Sequence, residues 1–102
     1  MNIELPRERI EAFCEKWKVR EVALFGSVLR EDFRPESDVD VLVTFRDDVQ
    51  PTLSDLLDME EELREIFGRP VDLVKRELVE SNPNYIVRKR ILQSAQPIYV
   101  GR

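Results

Sequence analysis

Segments of helical and strand period alternate along the chain and predict an α/β (α+β) fold in the order α-β-α-β-α-β-α-β. Three observations carry this reading. Apolar residues recur at helical spacing in several separate stretches. "DVDVLVTF" alternates strictly enough to be a strand. Turn signals at Gly26, Gly68 and Asn82-Pro83 divide the stretches from one another. With 102 residues, the expectation is a single domain over residues 1–102, with a core able to stand alone but little to spare.

Pro6 suits the first turn of a helix in which Ile10, Phe13, Cys14 and Trp17 follow the i, i+3, i+4, i+7 pattern and read as core. "EVALF" is a short buried strand ending at Gly26. Ser27 to about Glu31 suits a helical turn, "RPES" a loop, and "DVDVLVTF" the second strand. Thr52 or Ser54 caps the next helix, whose predicted apolar face is Leu53, Leu56, Leu57, Leu63, Ile66 and Phe67. Gly68 followed by Arg69-Pro70 stops it. "VDLV" is a brief third strand. A last helix runs from around Tyr85 to Ser94, and "PIYV" closes the sheet.

Composition excludes several classes. The chain is 42% apolar and 36% charged, as a soluble globular protein is. No apolar run approaches the roughly 20 residues needed to cross a bilayer, and "MNIELPRERIE" is no signal peptide, so a cytoplasmic location is expected. One cysteine and no histidine argue against a disulfide, a zinc site and histidine-based catalysis. The net charge of −5 is uneven: residues 75–102 carry six cations against two carboxylates, a net of +4, which leaves −9 on the remainder. An acidic body is a poor general binder of nucleic acid. The basic tail is suited to a phosphate, an acidic partner, or the protein's own acidic helix, whose run from Asp58 to Glu65 reads as a solvated face.

The chemistry concentrates in "FGSVLREDFRPESDVDVLV". Side chains alternate across a strand, so Asp38 and Asp40 emerge on one face while Val39, Val41, Val43 and Phe45 take the other. Two carboxylates about 5 Å apart repel by roughly 3 kcal/mol at an effective dielectric of about 20. A shared proton, a basic neighbour or a divalent cation relieves that cost. Oxygen-only ligands favour magnesium or manganese. Asp72, alone among apolar residues in "PVDLVK", supplies a third carboxylate if its strand lies beside the second; an edge-strand charge that discourages aggregation is the other reading. Gly26-Ser27 forms a strand-to-helix turn whose N–H groups and hydroxyl suit anionic oxygens. Arg30 adds a fork suited to phosphate, unless it pairs with Glu31, Asp32 or a motif acid, and Ser37 adds a hydroxyl.

Gly26-Ser27, Arg30, Ser37-Asp38-x-Asp40 and a later strand aspartate resemble the signature of the minimal nucleotidyltransferases, within the DNA polymerase β-like nucleotidyltransferase superfamily. The likeness covers nearly the whole chain and implies that family's fold, a small mixed sheet packed by helices. It also implies that Gly26 and Ser27, with Arg30 and Ser37, cradle ATP or another nucleoside triphosphate. Asp38, Asp40 and Asp72 would bind two magnesium ions, with Asp72 also the general base for an acceptor hydroxyl. The family usually has glycine directly after the motif arginine, where this chain has Glu31.

The resemblance further implies an acceptor: a tyrosine of a companion HEPN-domain toxin, adenylylated so that the enzyme acts as an antitoxin. A binding module that neutralises the toxin by occupying it competes with this, motivated by Glu31. Transfer to a small molecule such as an aminoglycoside ranks behind both, because those relatives usually carry an additional domain. A homo-oligomer completing the site is compatible with the sequence. Tyr85 and Tyr99 are candidates for stacking on a base, although aromatic packing is the commoner role.

Overall fold

The structure, a computed structural model, describes residues 5–26 and 38–101. The helical turn expected from Ser27 to about Glu31 and the "RPES" loop fall outside the described residues.

The first helix, α1, runs over Arg7–Trp17, with Pro6 at its N-cap accepting the Ile10 N–H at 3.0 Å. It ends at Lys18, a left-handed residue (φ 56°) whose N–H reaches the Cys14 and Glu15 carbonyls. Strands β1 (Val19–Phe25) and β2 (Val39–Phe45) follow. Then come helix α2 (Leu53–Phe67), strand β3 (Val71–Lys75), helices α3 (Arg76–Glu80) and α4 (Tyr85–Ser94), and strand β4 (Gln96–Val100). The sheet order is β3-β2-β1-β4. β1 is antiparallel to both β2 and β4, whereas β2 and β3 are parallel, so the fold is a mixed α+β one.

The two faces of the sheet differ. On one, α1 and α2 enclose Val22, Leu24, Val39, Val41 and Val43 with Phe13, Met59 and Leu63. On the other, α3 and α4 cover a smaller cluster built on Ala23, Leu42 and Val79. The parallel partner is secured at its entry, where the Val39 N–H donates to the Pro70 carbonyl at 2.9 Å.

Helix α2 carries a capping box at Thr52: its hydroxyl accepts the Asp55 N–H at 3.1 Å and the Asp55 carboxylate accepts the Thr52 N–H at 2.9 Å. Gly68 closes it at φ 67°, a conformation glycine adopts without strain. The expected apolar face needs correction, because Leu53 and Leu57 are 73% and 60% exposed and Met59 is fully enclosed. Residues two positions apart on a helix, as Leu57 and Met59 are, point roughly 200° from each other. Once Met59, Leu63 and Ile66 face the sheet, Leu57 must therefore point away. The solvated reading of the acidic run holds for Asp58, Glu61 and Glu65, whereas Glu60 and Glu62 are half-buried.

Trp17 packs against the core without being enclosed, because its indole N–H is held by Glu62 Oε2 at 3.0 Å at the rim, beside Lys16. Among the described residues no ion pair joins the basic tail to the acidic helix, and the sheet stands between α2 and α4. Two of the tail's cations pair elsewhere: Lys75 with Glu77 at 2.7 Å, and Arg76 with Glu21 of β1 at 2.8 Å. Helix α3, unforeseen in the sequence, follows β3 directly and buries a single residue, Val79. Among the described residues no helix is long and apolar enough to cross a membrane.

Met59→Ala is expected to cost about 2–4 kcal/mol and Leu57→Ala under about 1, read by urea denaturation. Cys14 gives a second test. Burial, reinforced by Glu11 and Glu15, pushes its thiol from the usual 9.0 up to about 12. Below pH 9 the thiol is protonated in both states and contributes no slope. As pH rises from 9 toward 12, the unfolded chain ionises first and stability falls. That alkaline loss is expected to shrink in Cys14→Ala when the two pH profiles are compared.

Candidate functional site

The register of the sheet places the nominated strand acids. Phe25 of β1 lies opposite Asp40 of β2, and Asp40 lies opposite Asp72 of β3. Residues paired across a sheet share a face, so Phe25, Asp40 and Asp72 form a row perpendicular to the strands. Adjacent strands are about 4.8 Å apart, which brings the two aspartate backbones within reach of one small ligand. Their face is the one that carries Leu42 and Val74, opposite the large core. Asp38, exposed and immediately ahead of β2, has the same parity as Asp40. Asp40 is half-buried and Asp72 exposed.

Gly26 completes the described part of the site. It follows Phe25 with φ 76°, where a side chain is strained. A Cβ built there would overlap Oδ2 of Asp40 and lie 3.1 Å from its Cγ. The main chain at Gly26 therefore runs against the Asp40 carboxylate, and only glycine permits that approach. Ser27, Arg30 and Ser37 lie outside the described residues, as does Glu31.

Among the described residues, no three acidic side chains converge closely enough to hold an ion by themselves. Magnesium asks for less than that. It usually takes one or two carboxylates, keeps several waters and completes its shell with substrate phosphates. An in-register pair of hard oxygen donors, in a chain with no histidine and one buried cysteine, fits that requirement.

Pro70, which the sequence marks only as part of a helix stop, also positions the start of β2. Its carbonyl sets where β2 begins relative to β3. The available signal was its place directly before "VDLV". Tyr85 is exposed beneath Arg88 and Lys89, whose charges lie 5.5 and 5.8 Å from its ring centre, while Tyr99 packs against the large core.

Residues 7–96 match the nucleotidyltransferase domain family, and the chain belongs to it. It is an enzyme of that class. The Methanocaldococcus jannaschii protein MJ1379, assigned as a protein adenylyltransferase, is 35% identical over 88 residues, covering 86% of this chain and 85% of that one. A solved structure assigned as a minimal nucleotidyltransferase superposes with a TM-score of 0.68 at 32% identity, covering 90% and 88% of the two chains. A toxin–antitoxin crystal structure containing AMP-PNP also gives a TM-score of 0.68, over 96% of this chain and 75% of that one. At 19% identity it is a likeness of fold.

Gly26→Ala is expected to lose about 1–3 kcal/mol of stability, from the left-handed backbone and the displaced carboxylate. It should also weaken binding of a non-hydrolysable ATP analogue in the presence of Mn²⁺. Thermal denaturation and calorimetry check the two effects separately.

Proposed function

We propose that the chain transfers AMP from ATP to a hydroxyl of a protein acceptor, a tyrosine of a companion HEPN-domain toxin, and thereby acts as an antitoxin. The observation that carries this reading is the Asp40–Asp72 register beside the close approach of Gly26. Asp38, Asp40 and Asp72 would hold magnesium, with manganese as a substitute. Gly26 and Ser27, with Arg30 and Ser37, would hold the triphosphate. When bound, the metal supplies positive charge where negative charge develops on the phosphate oxygens.

The residues of the chain do the remainder. Gly26, where the main chain meets the Asp40 carboxylate, would bring the triphosphate to the strand end beside the acid that holds its metal. Asp72, exposed on the strand neighbouring Asp40, would take the proton of the incoming hydroxyl. The acceptor oxygen bonds to the α-phosphorus, the bond to the bridging oxygen breaks, and pyrophosphate leaves with that electron pair. MJ1379's assignment supports a protein acceptor, and the AMP-PNP in the fold neighbour supports ATP.

A second reading has the protein neutralise its partner by binding alone. Glu31 favours it, because a carboxylate replaces the family's usual glycine beside the phosphate-binding arginine. Purified protein, labelled ATP, magnesium and the HEPN companion distinguish the two. Labelled companion is expected with the wild type. Asp40→Asn should lower labelling by about 100-fold or more, the scale of removing one group that stabilises transition-state charge, and should lower neutralisation with it. Absence of label with the wild type overturns the transfer reading, and neutralisation that survives Asp40→Asn supports the binding reading.

A further inference from the structure

Two surfaces outside the acid row are opposite in charge. The first is a groove of about 530 Å³ between α1 and α2, floored by Phe13 and Ile66, in which Asp58, Glu61, Glu62 and Glu65 outnumber the cations Arg9 and Lys16. None of Asp58, Glu61 and Glu65 has an ion-pair partner among the described residues. The fourth acid of the groove, Glu62, is already engaged by Lys16 at 3.1 Å. The second surface is the outer side of α4. Ile91 and Leu92 turn inward to the small core, which leaves Ile86, Lys89, Arg90 and Gln93 on the solvent side. Ile86 is 68% exposed, and no residue of the helix is fully buried.

These surfaces cannot satisfy each other within one chain, because the sheet separates them. A second copy supplies what each lacks. We propose that the chain self-associates, with the basic, apolar outer side of α4 of one copy seated in the acidic α1–α2 groove of the next. This is helix-in-groove docking, with Ile86 as the apolar anchor and Lys89 and Arg90 facing the carboxylate wall. The two surfaces lie on opposite faces, so each copy presents its groove to one neighbour and its helix to another. The contact is head-to-tail, and association proceeds beyond a dimer into a ring or a short chain. Exposed ion pairs are individually weak and screened by salt, so the assembly is salt-sensitive.

Sedimentation velocity over a range of protein concentrations tests this at about 0.02 M and about 0.5 M salt, where screening lengths differ several-fold. The wild type is expected to grow past dimer mass at low salt and return toward monomer at high salt. Lys89→Glu/Arg90→Glu and Glu61→Lys/Glu65→Lys should each stay monomeric at low salt. An equimolar mixture of the two should associate again, because each variant's helix then meets a groove of opposite charge. That rescue also shows that both variants are folded. A wild type that is monomeric throughout, an assembly unchanged by the substitutions, or a mixture that fails to associate overturns the proposal.

Discussion

Parallel pairing of β2 with β3 is the constraint on which the site depends. Asp40 and Asp72 are far apart in sequence, and they share a face only because Val39 lies opposite Val71 and Val41 opposite Leu73. Side chains in a strand alternate with period two, so a slip of one residue would turn Asp72 into the large α1–α2 core and move Val71 and Leu73 to the acid-row face. Burying an unpaired carboxylate there would be far more costly than any gain from the slipped contacts. Hydrophobic alternation on the core side thus holds the carboxylates in line on the other. The Pro70 carbonyl, bonded to the Val39 N–H, fixes where that pairing starts.

How legible this was differs between local and non-local features. Strand parity placed Asp38 and Asp40 on one face from the residues alone, and the glycine at Gly26 marked the end of β1. The two-sided cap of Thr52 and Asp55 and the stop at Gly68 are short-range signals that survive folding unchanged. Which strand stands beside β2 is a pairing between distant segments, and no local period encodes it. The α2 face was misread for a related reason. Leu53 and Leu57 satisfy a helical spacing among themselves, but the sheet selects the stripe through Met59, Leu63 and Ile66. Strand β1 begins at Val19, earlier than "EVALF", because pairing with β2, Val19 opposite Phe45, recruits "VR" despite the charge of Arg20. Helix α3 has five residues and one buried side chain, too few to show a period.

The two faces divide the work of the fold. Large aliphatic and aromatic residues gather on the α1–α2 side, where Phe13, Leu24, Met59 and Leu63 are almost wholly enclosed. Across the sheet the buried residues are Ala23, Leu42 and Val79, a cluster too small to carry the fold unaided. Hydrophobic stabilisation scales with apolar area removed from water, at about 25 cal/mol per Å², so the first face supplies most of it. The second face is then free to place carboxylates where they repel each other and where water has access.

That division also accounts for where exposed apolar surface remains. A sheet face that carries a row of aspartates cannot offer a helix a continuous apolar bed. Helices α3 and α4 therefore rest on it through a few contacts and leave Leu78, Tyr85 and Ile86 outside. Helix α4 sits there with Arg88, Lys89 and Arg90 rather than carboxylates, which places positive charge on the side of the sheet that holds the acid row. The same choice leaves the acidic wall of the opposite groove without a counter-charge from its own tail. Exposed apolar residues on α4 and unbalanced charge on both faces thus have a common origin in giving one side of a small sheet to carboxylates.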